Sequence, residues 1–143
     1  MLQQDVLEAS KMVGLNYHKS YEFSSMLEFN EMFRTGCFKP DYLVCEMDSK
    51  IVAVAGYSQS ACDYAVYEIF WVNVHPDYQG KGIGTAIIKK TIDVIKSLRS
   101  KDKKAEVILL TAKIPEFYRR FGFKSVLKKN SKSHIMALHL RSK

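Results

Sequence analysis

Val72-Asn73-Val74-His75-Pro76-Asp77-Tyr78-Gln79-Gly80-Lys81-Gly82-Ile83-Gly84-Thr85 is the stretch whose reading decides the fold. A β-branched segment ends at a proline, a glycine-rich turn follows, and a long amphipathic segment begins. Gly80, Gly82 and Gly84 lack a Cβ, so the backbone there can approach a ligand closely. The first N–H groups of the following helix have no partner in the helix itself and carry the positive end of its dipole. Together they form an anion site suited to a pyrophosphate. Two other phosphate loops are excluded by the letters. A Walker A loop needs Gly-Lys-Ser/Thr, but Gly82 follows Lys81. The dinucleotide pattern Gly-x-Gly-x-x-Gly fails because Thr85 and Ile87 stand where its third glycine belongs. Read alone, the same glycines also suit a tight strand-to-helix turn that binds nothing.

Upstream, residues 65–74 are rich in aromatic and β-branched side chains and read as a strand. Residues 42–47 and 51–58, joined by Asp48-Ser49-Lys50, read as a β-hairpin. Two helices are expected before it, over 2–13 with Gly14 as the stop and over 22–34. Downstream, Ile88, Ile92, Ile95 and Leu98 mark the buried stripe of a helix over 82–99. The run Val107-Ile108-Leu109-Leu110 suits a strand covered on both faces. Pro115 opens a short helix that Gly122 ends, and residues 123–127 and 134–140 complete the chain as strands. The order α, α, β, β, β, α, β, α, β, β predicts an α/β fold. Its mixed, mostly antiparallel sheet is flanked by helices and holds one βαβ crossover.

Composition sets the outer bounds. The 143 residues suit a single domain, 1–143. No apolar run reaches about 18 residues, and the first residues lack a basic, apolar leader, so neither a membrane span nor a signal peptide is expected. Cys37, Cys45 and Cys62 are odd in number and form no Cys-x-x-Cys pair. Neither they nor the four histidines have metal-ligand spacing, so no metal is expected, and a cytoplasmic setting fits. The net charge of +7 favours an anionic partner. The basic residues are not interleaved with aromatics, and no nucleic-acid motif is present, so nucleic acid is not the expected partner. The densest basic run, Lys96 to Lys104, reads as a helix end plus a loop.

Gln79-Gly80-Lys81-Gly82-Ile83-Gly84 after Val-x-Val-x-Pro, followed by Phe117-Tyr118-Arg119-Arg120-Phe121-Gly122-Phe123, resembles the GNAT superfamily of N-acetyltransferases. The first stretch matches its Gln/Arg-x-x-Gly-x-Gly/Ala signature, the second its Phe-Tyr-x-x-x-Gly-Phe. The resemblance covers about residues 42–140. It implies a sheet whose central strand pair splays apart and takes acetyl-CoA as cosubstrate in the split. It implies pyrophosphate contacts from Gln79, Gly80, Lys81, Gly82, Ile83, Gly84 and Thr85, with the pantetheine beside Val72, Asn73 and Val74. It also implies an N–H near the end of this strand that polarises the thioester carbonyl. Two departures stand out. Thr111-Ala112-Lys113 occupies the place where many relatives carry an asparagine, and little room is left for the strand that usually precedes the first helix.

The implied reaction is direct attack of a primary amine, from a small molecule or a protein lysine, on the thioester. An alkylammonium of pKa about 10.4 must first lose its proton. Glu68, eleven residues before Gln79, matches the spacing of a catalytic glutamate in some GNAT lysine acetyltransferases. The alternative reading is an exposed strand carboxylate. The resemblance makes Tyr118 the acid that protonates the leaving thiolate; otherwise it is a core tyrosine. Tyr57, Tyr64, Tyr67 and Trp71 are candidates for a pocket that takes a cationic amine. A non-catalytic acyl-CoA-binding domain is the alternative function. An uncovered sheet edge at residues 42–47 makes a homodimer plausible.

Overall fold

The computed structural model describes residues 1–100 and 103–140. Residues 101 and 102 of the basic run lie outside the described residues.

After a turn of 3-10 helix, α1 spans Val6–Asn16 and α2 spans Lys19–Asn30. Gly14 does not stop α1. A Cβ there would lie 3.2 Å from Glu22 Cβ, so this glycine allows close approach of α2 rather than ending its own helix. The helix ends three residues later than expected from the sequence, at Asn16, with Tyr17 as its C-cap. Helix α2 starts earlier than expected because His18 Nδ1 accepts from the Ser20 N–H at 3.3 Å and caps it.

Strands β1 (Asp41–Met47), β2 (Lys50–Gln59) and β3 (Val66–Val74) form an antiparallel meander. Helix α3 (Ile83–Ser97) follows. A two-residue ribbon, β4 (Arg99–Ser100) with β5 (Lys103–Lys104), leads to β6 (Val107–Ala112). Then come α4 (Pro115–Arg119), β7 (Lys124–Asn130) and β8 (Ser133–His139). The main sheet runs β1-β2-β3-β6-β8-β7. Every pairing in it is antiparallel except β3 with β6, the one parallel pair, which α3 connects.

Strand β2 is buried along seven successive residues, because helices cover both faces of the sheet there. On one face Ile51 and Val54 pack with Val6, Ala9, Met12 and Val13 of α1. On the other, Ala53 and Ala55 meet Ile87 of α3, and their small side chains let the helix lie close. Tyr67, Ile69 and Ile108 join Ile88, Ile92, Ile95 and Phe123 in a second layer under α3 and α4. Strand β7 is exposed throughout and forms one edge of the sheet.

Strand β1 forms the other edge. No strand precedes α1 among the described residues, and the Met1 amine donates to Tyr42 O at 2.8 Å. Also among the described residues, no helix is long and apolar enough to cross a membrane.

Candidate functional site

The parallel pairing of β3 with β6 is short. It joins Val66, Tyr67 and Glu68 to Val107, Ile108 and Leu109, and then stops. Strand β3 continues to Val74 and β6 to Ala112 without pairing to each other. The expected splay is therefore present, and the β3 edge from Ile69 onward faces an open notch. A bulge sits at its start. Val54 pairs with Asn73 and Gly56 with Phe70, so two β3 residues stand opposite Ala55 alone. Trp71 takes φ +48° to accommodate the extra residue, an uncommon conformation for a bulky side chain. A bulge of this kind re-aims backbone polar groups out of the ladder, here at the mouth of the notch. Neither Trp71 nor its neighbours announce the bulge in the sequence.

At the far end of β3 lies the glycine turn. Gly80 and Gly82 have φ +73° and +81°, and nothing lies within 4 Å of a Cβ built on either. Gly82 is the N-cap of α3, with no side-chain cap. The first helical bond runs from Ala86 N–H to Gly82 O, so the N–H groups of Ile83, Gly84 and Thr85 have no helix partner. They lie next to the open space at Gly80 and Gly82, an arrangement that fits a pyrophosphate. At Gly84 a Cβ would meet Phe117 Cζ and Val74 Cγ2 at 3.5 Å, ordinary contact, which matches a position that admits Gly or Ala.

Side chains hold this turn in place. Gln79 Nε2 donates to Val74 O at 3.0 Å and to Asn16 Oδ1 at 3.1 Å. Asn16 Nδ2 donates to Val74 O at 2.9 Å and to Asn73 Oδ1 at 3.1 Å. Gln79 thus braces the turn against β3, and Asn16 ties both to the end of α1. Asn73 is buried, and its Nδ2 has no protein partner. Asn16 was not a candidate from sequence; a lone asparagine at a helix end carries no signal there. Lys81 points back, donating to Asp77 O at 3.1 Å with its ammonium 5.1 Å from the Tyr78 ring centre.

Tyr118 sits on α4, which packs beside the start of α3. Its ring meets Phe117 edge-on at 5.0 Å between centres and Phe123 at 6.0 Å. Burial pushes its hydroxyl up to about 12, with a smaller contribution from Tyr17. Arg120 Nη2 donates to Thr85 Oγ1 at 3.3 Å and links α4 to α3. Glu68 is exposed at the last paired position of β3, where the splay opens. It alternates with Tyr67 and Ile69, whose side chains join the layer under α3, so its carboxylate lies on the α1/α2 face of the sheet.

The aromatic candidates separate. Tyr57 and Tyr67 are 8% and 5% exposed and pack in the core under α3. Trp71 instead meets Tyr21 edge-on, and Tyr21 meets Tyr17. These two tyrosines come from the junction of α1 and α2, which the strand pattern around the hairpin could not reveal.

Comparisons with known proteins agree with this geometry. Residues 39–125 match the family model of the acetyltransferase (GNAT) domain. An uncharacterised N-acetyltransferase of Methanocaldococcus jannaschii is 34% identical over 89 residues, covering 57% of this chain and 38% of that protein. A histone acetyltransferase of Glycine max is 34% identical over 71 residues, 49% of this chain and 29% of that protein. The chain therefore spans well under half the length of these curated relatives. A GNAT-family structure from Desulfovibrio desulfuricans superimposes with a TM-score of 0.80 at 19% identity, covering 98% and 95% of the two chains. An aminoglycoside 6'-acetyltransferase superimposes at 0.77 with 18% identity, covering 98% and 92%. An N-acetyltransferase from Thermoplasma acidophilum, solved with coenzyme A, superimposes at 0.71 with 15% identity, covering 97% and 95%. With the splayed strands, the glycine turn and the family model in agreement, this chain belongs to the GNAT acetyltransferase family.

Proposed function

We propose that this protein transfers an acetyl group from acetyl-CoA to a primary amine by direct attack. The observation that carries this is the notch between β3 and β6, with three partnerless N–H groups of α3 beside the end of β3 and Tyr118 on the adjoining α4. Acetyl-CoA supplies the activated thioester. The N–H groups of Ile83, Gly84 and Thr85 hold its pyrophosphate, and the β3 edge at Val72, Asn73 and Val74, which β6 does not pair, holds its pantetheine. Gln79, Gly80, Lys81 and Gly82 shape that cradle. The bulge at Trp71 turns a backbone N–H toward the thioester oxygen.

A C–N bond forms, the C–S bond breaks, and one proton leaves nitrogen while one reaches sulfur. Glu68 accepts the first of these protons, and Tyr118 donates the second. A phenol near 12 gives its proton to a thiolate of ordinary pKa about 8.5 only uphill, by about 5 kcal/mol at 1.36 kcal/mol per unit. Tyr118 is therefore protonated at rest through the working range; its hydrogen bond to sulfur strengthens as the C–S bond opens, its proton passes to the thiolate as that bond breaks, and the phenolate then takes a proton back from solvent. Tyr118→Phe is expected to keep acetyl-CoA affinity and lower turnover by about 10²–10⁴-fold, the span of a positioned acid. The wild-type pH–rate profile is expected to show no alkaline fall from this group below about 12. Glu68→Gln is expected to cost most at neutral pH and least near the amine's own pKa. Near-normal turnover of Tyr118→Phe with saturating amine would remove the acid; a pH-independent loss in Glu68→Gln would remove the base.

The uncovered β1 edge extends this reading to a homodimer, since edge strands pair readily. Light scattering at high concentration is expected to give twice the 16.4 kDa chain mass, and a monomer there refutes it.

A further inference from the structure

A contiguous row of side chains runs along the α1/α2 side of the notch. The Lys113 ammonium lies 5.3 Å from the Tyr17 ring centre. Tyr17 meets Tyr21 at 5.6 Å and Tyr21 meets Trp71 at 6.4 Å, centre to centre. The Trp71 indole N–H donates to Glu28 Oε2. Tyr17 and Tyr21 are 48% and 47% exposed, and Glu28 is exposed on α2. One end of the row lies near Tyr118, whose proton Tyr17 helps to retain. The other end is a carboxylate. Aromatic faces attract cations, and this one already seats an ammonium of the chain's own.

Such a surface poses a chemical conflict for a simple amine. Aromatic faces and a carboxylate favour the charged form, which cannot attack a thioester. An acceptor with two cationic groups avoids the conflict. Its distal group stays protonated beside Glu28, while the reacting nitrogen lies at the Tyr17–Tyr118 end and loses its proton there. The charge of the chain divides the same way. Residues 1–80 carry five Lys/Arg against eleven Asp/Glu, whereas residues 81–143 carry seventeen against four. The sheet divides between these halves at β3 and β6, and Tyr17, Tyr21, Glu28 and Trp71 of the row all belong to the acidic half, with Lys113 coming from the basic one.

Resting on the acetyltransferase reading above, we propose that the acceptor is a diamine or polyamine-like dication that lies along Tyr17, Tyr21, Trp71 and Glu28, displacing the Lys113 ammonium from Tyr17. Trp71 is the one tryptophan of the chain, so its fluorescence reports directly on this surface. The row runs 5.6 Å from Tyr17 to Tyr21 and 6.4 Å on to Trp71, so the probe needs two amines separated by a chain of about eight carbons. The full chain, saturated with coenzyme A, is titrated with 1,8-diaminooctane, octylamine and octanediol. Diaminooctane is expected to give a saturable change, with octylamine at least about tenfold weaker and octanediol silent. Glu28→Gln is expected to weaken diaminooctane about tenfold, whereas Lys113→Met, on an exposed residue, tightens it. Thiol release from acetyl-CoA is expected to rank the two amines in the same order. Equal response to diamine and monoamine, no saturable response to diaminooctane, or Lys113→Met without tightening overturns the inference. Calorimetry with acetyl-CoA on the same preparation separates the two claims. Loss of that binding defeats the acetyltransferase reading itself, whereas intact binding without diamine preference defeats only the choice of acceptor.

Discussion

Gly80 and Gly82 are required by their own backbone, not by crowding. Both have positive φ, where an L side chain costs about 1–2 kcal/mol, and both face open space. That space is the volume assigned to pyrophosphate. Gly82→Glu is expected to leave the protein folded and to abolish acetyl-CoA binding, because a side chain and a negative charge enter the same volume. Asn16 acts on this site from a distance. It bonds Val74 O, Asn73 Oδ1 and Gln79 Nε2 together, so Asn16→Leu strips the buried Asn73 Oδ1 of this bond, at a cost of about 1–3 kcal/mol, and leaves Val74 O and Gln79 Nε2 only each other. Acetyl-CoA affinity is expected to weaken several-fold in that variant. Calorimetry on both variants, with unaltered affinity as the opposing result, checks both expectations.

Among the elements, β3 does most to shape the site. It is paired on one side by β2 along most of its length and on the other by β6 for three residues only. The pairing with β6 ends at Glu68, three residues before the Trp71 bulge, so the same strand opens the notch and then turns its backbone toward it. Gly56 of β2 makes this packing possible. A Cβ there would fall 2.5 Å from Tyr42 Cε1 and 2.6 Å from Phe70 Cε2, two rings that meet across it at 5.9 Å. Gly56→Ala forces those rings apart and is expected to destabilise by about 1–3 kcal/mol, the cost of overpacking. Denaturant unfolding checks this, with a reduced midpoint and an unchanged slope as the expected outcome. The periodicity of α3 was legible in sequence because burial alone sets it. The apolar run of β6 marked a strand but not its setting: Ile108, Leu110 and Ala112 are buried, Val107 and Leu109 only half-buried and Thr111 exposed, so one face is covered rather than both as expected. The ends of α1 and α2 were not legible. Gly14 serves a helix–helix contact rather than a stop, and His18 caps through a contact that histidine seldom advertises.

Over the whole molecule, burial raises several tyrosines together. Tyr17, Tyr42, Tyr57, Tyr67 and Tyr118 all have hydroxyls above the ordinary value, with desolvation the leading cause for each. In the unfolded chain these groups ionise near pH 10, while in the folded chain they still hold their protons. The unfolded state then binds fewer protons, so stability is fully present below pH 10 and falls as pH rises through the folded values. Thermal midpoints are expected to decline steadily above pH 10, and a flat profile to pH 11 would contradict the burial of these hydroxyls. The charge division between residues 1–80 and 81–143 belongs to this scale too. It was present in the sequence, but a net charge of +7 conceals it.

What the sequence by itself determined is the local chemistry. The glycines at alternate positions, the β-branched strand before them and the amphipathic helix after them specify a tight strand-to-helix turn, because backbone freedom and hydrophobic period are properties of neighbouring residues. The Phe-Tyr-x-x-x-Gly-Phe stretch singled out Tyr118 through its resemblance to the family signature alone. Only the tertiary structure decided where β3 and β6 part, that Trp71 adopts a bulge, and that Asn16, Tyr17 and Tyr21 come to lie beside β3 and Lys113. These contacts join residues far apart in the chain. Their energies depend on packing among α1, α2 and the sheet, which no local pattern of residues encodes.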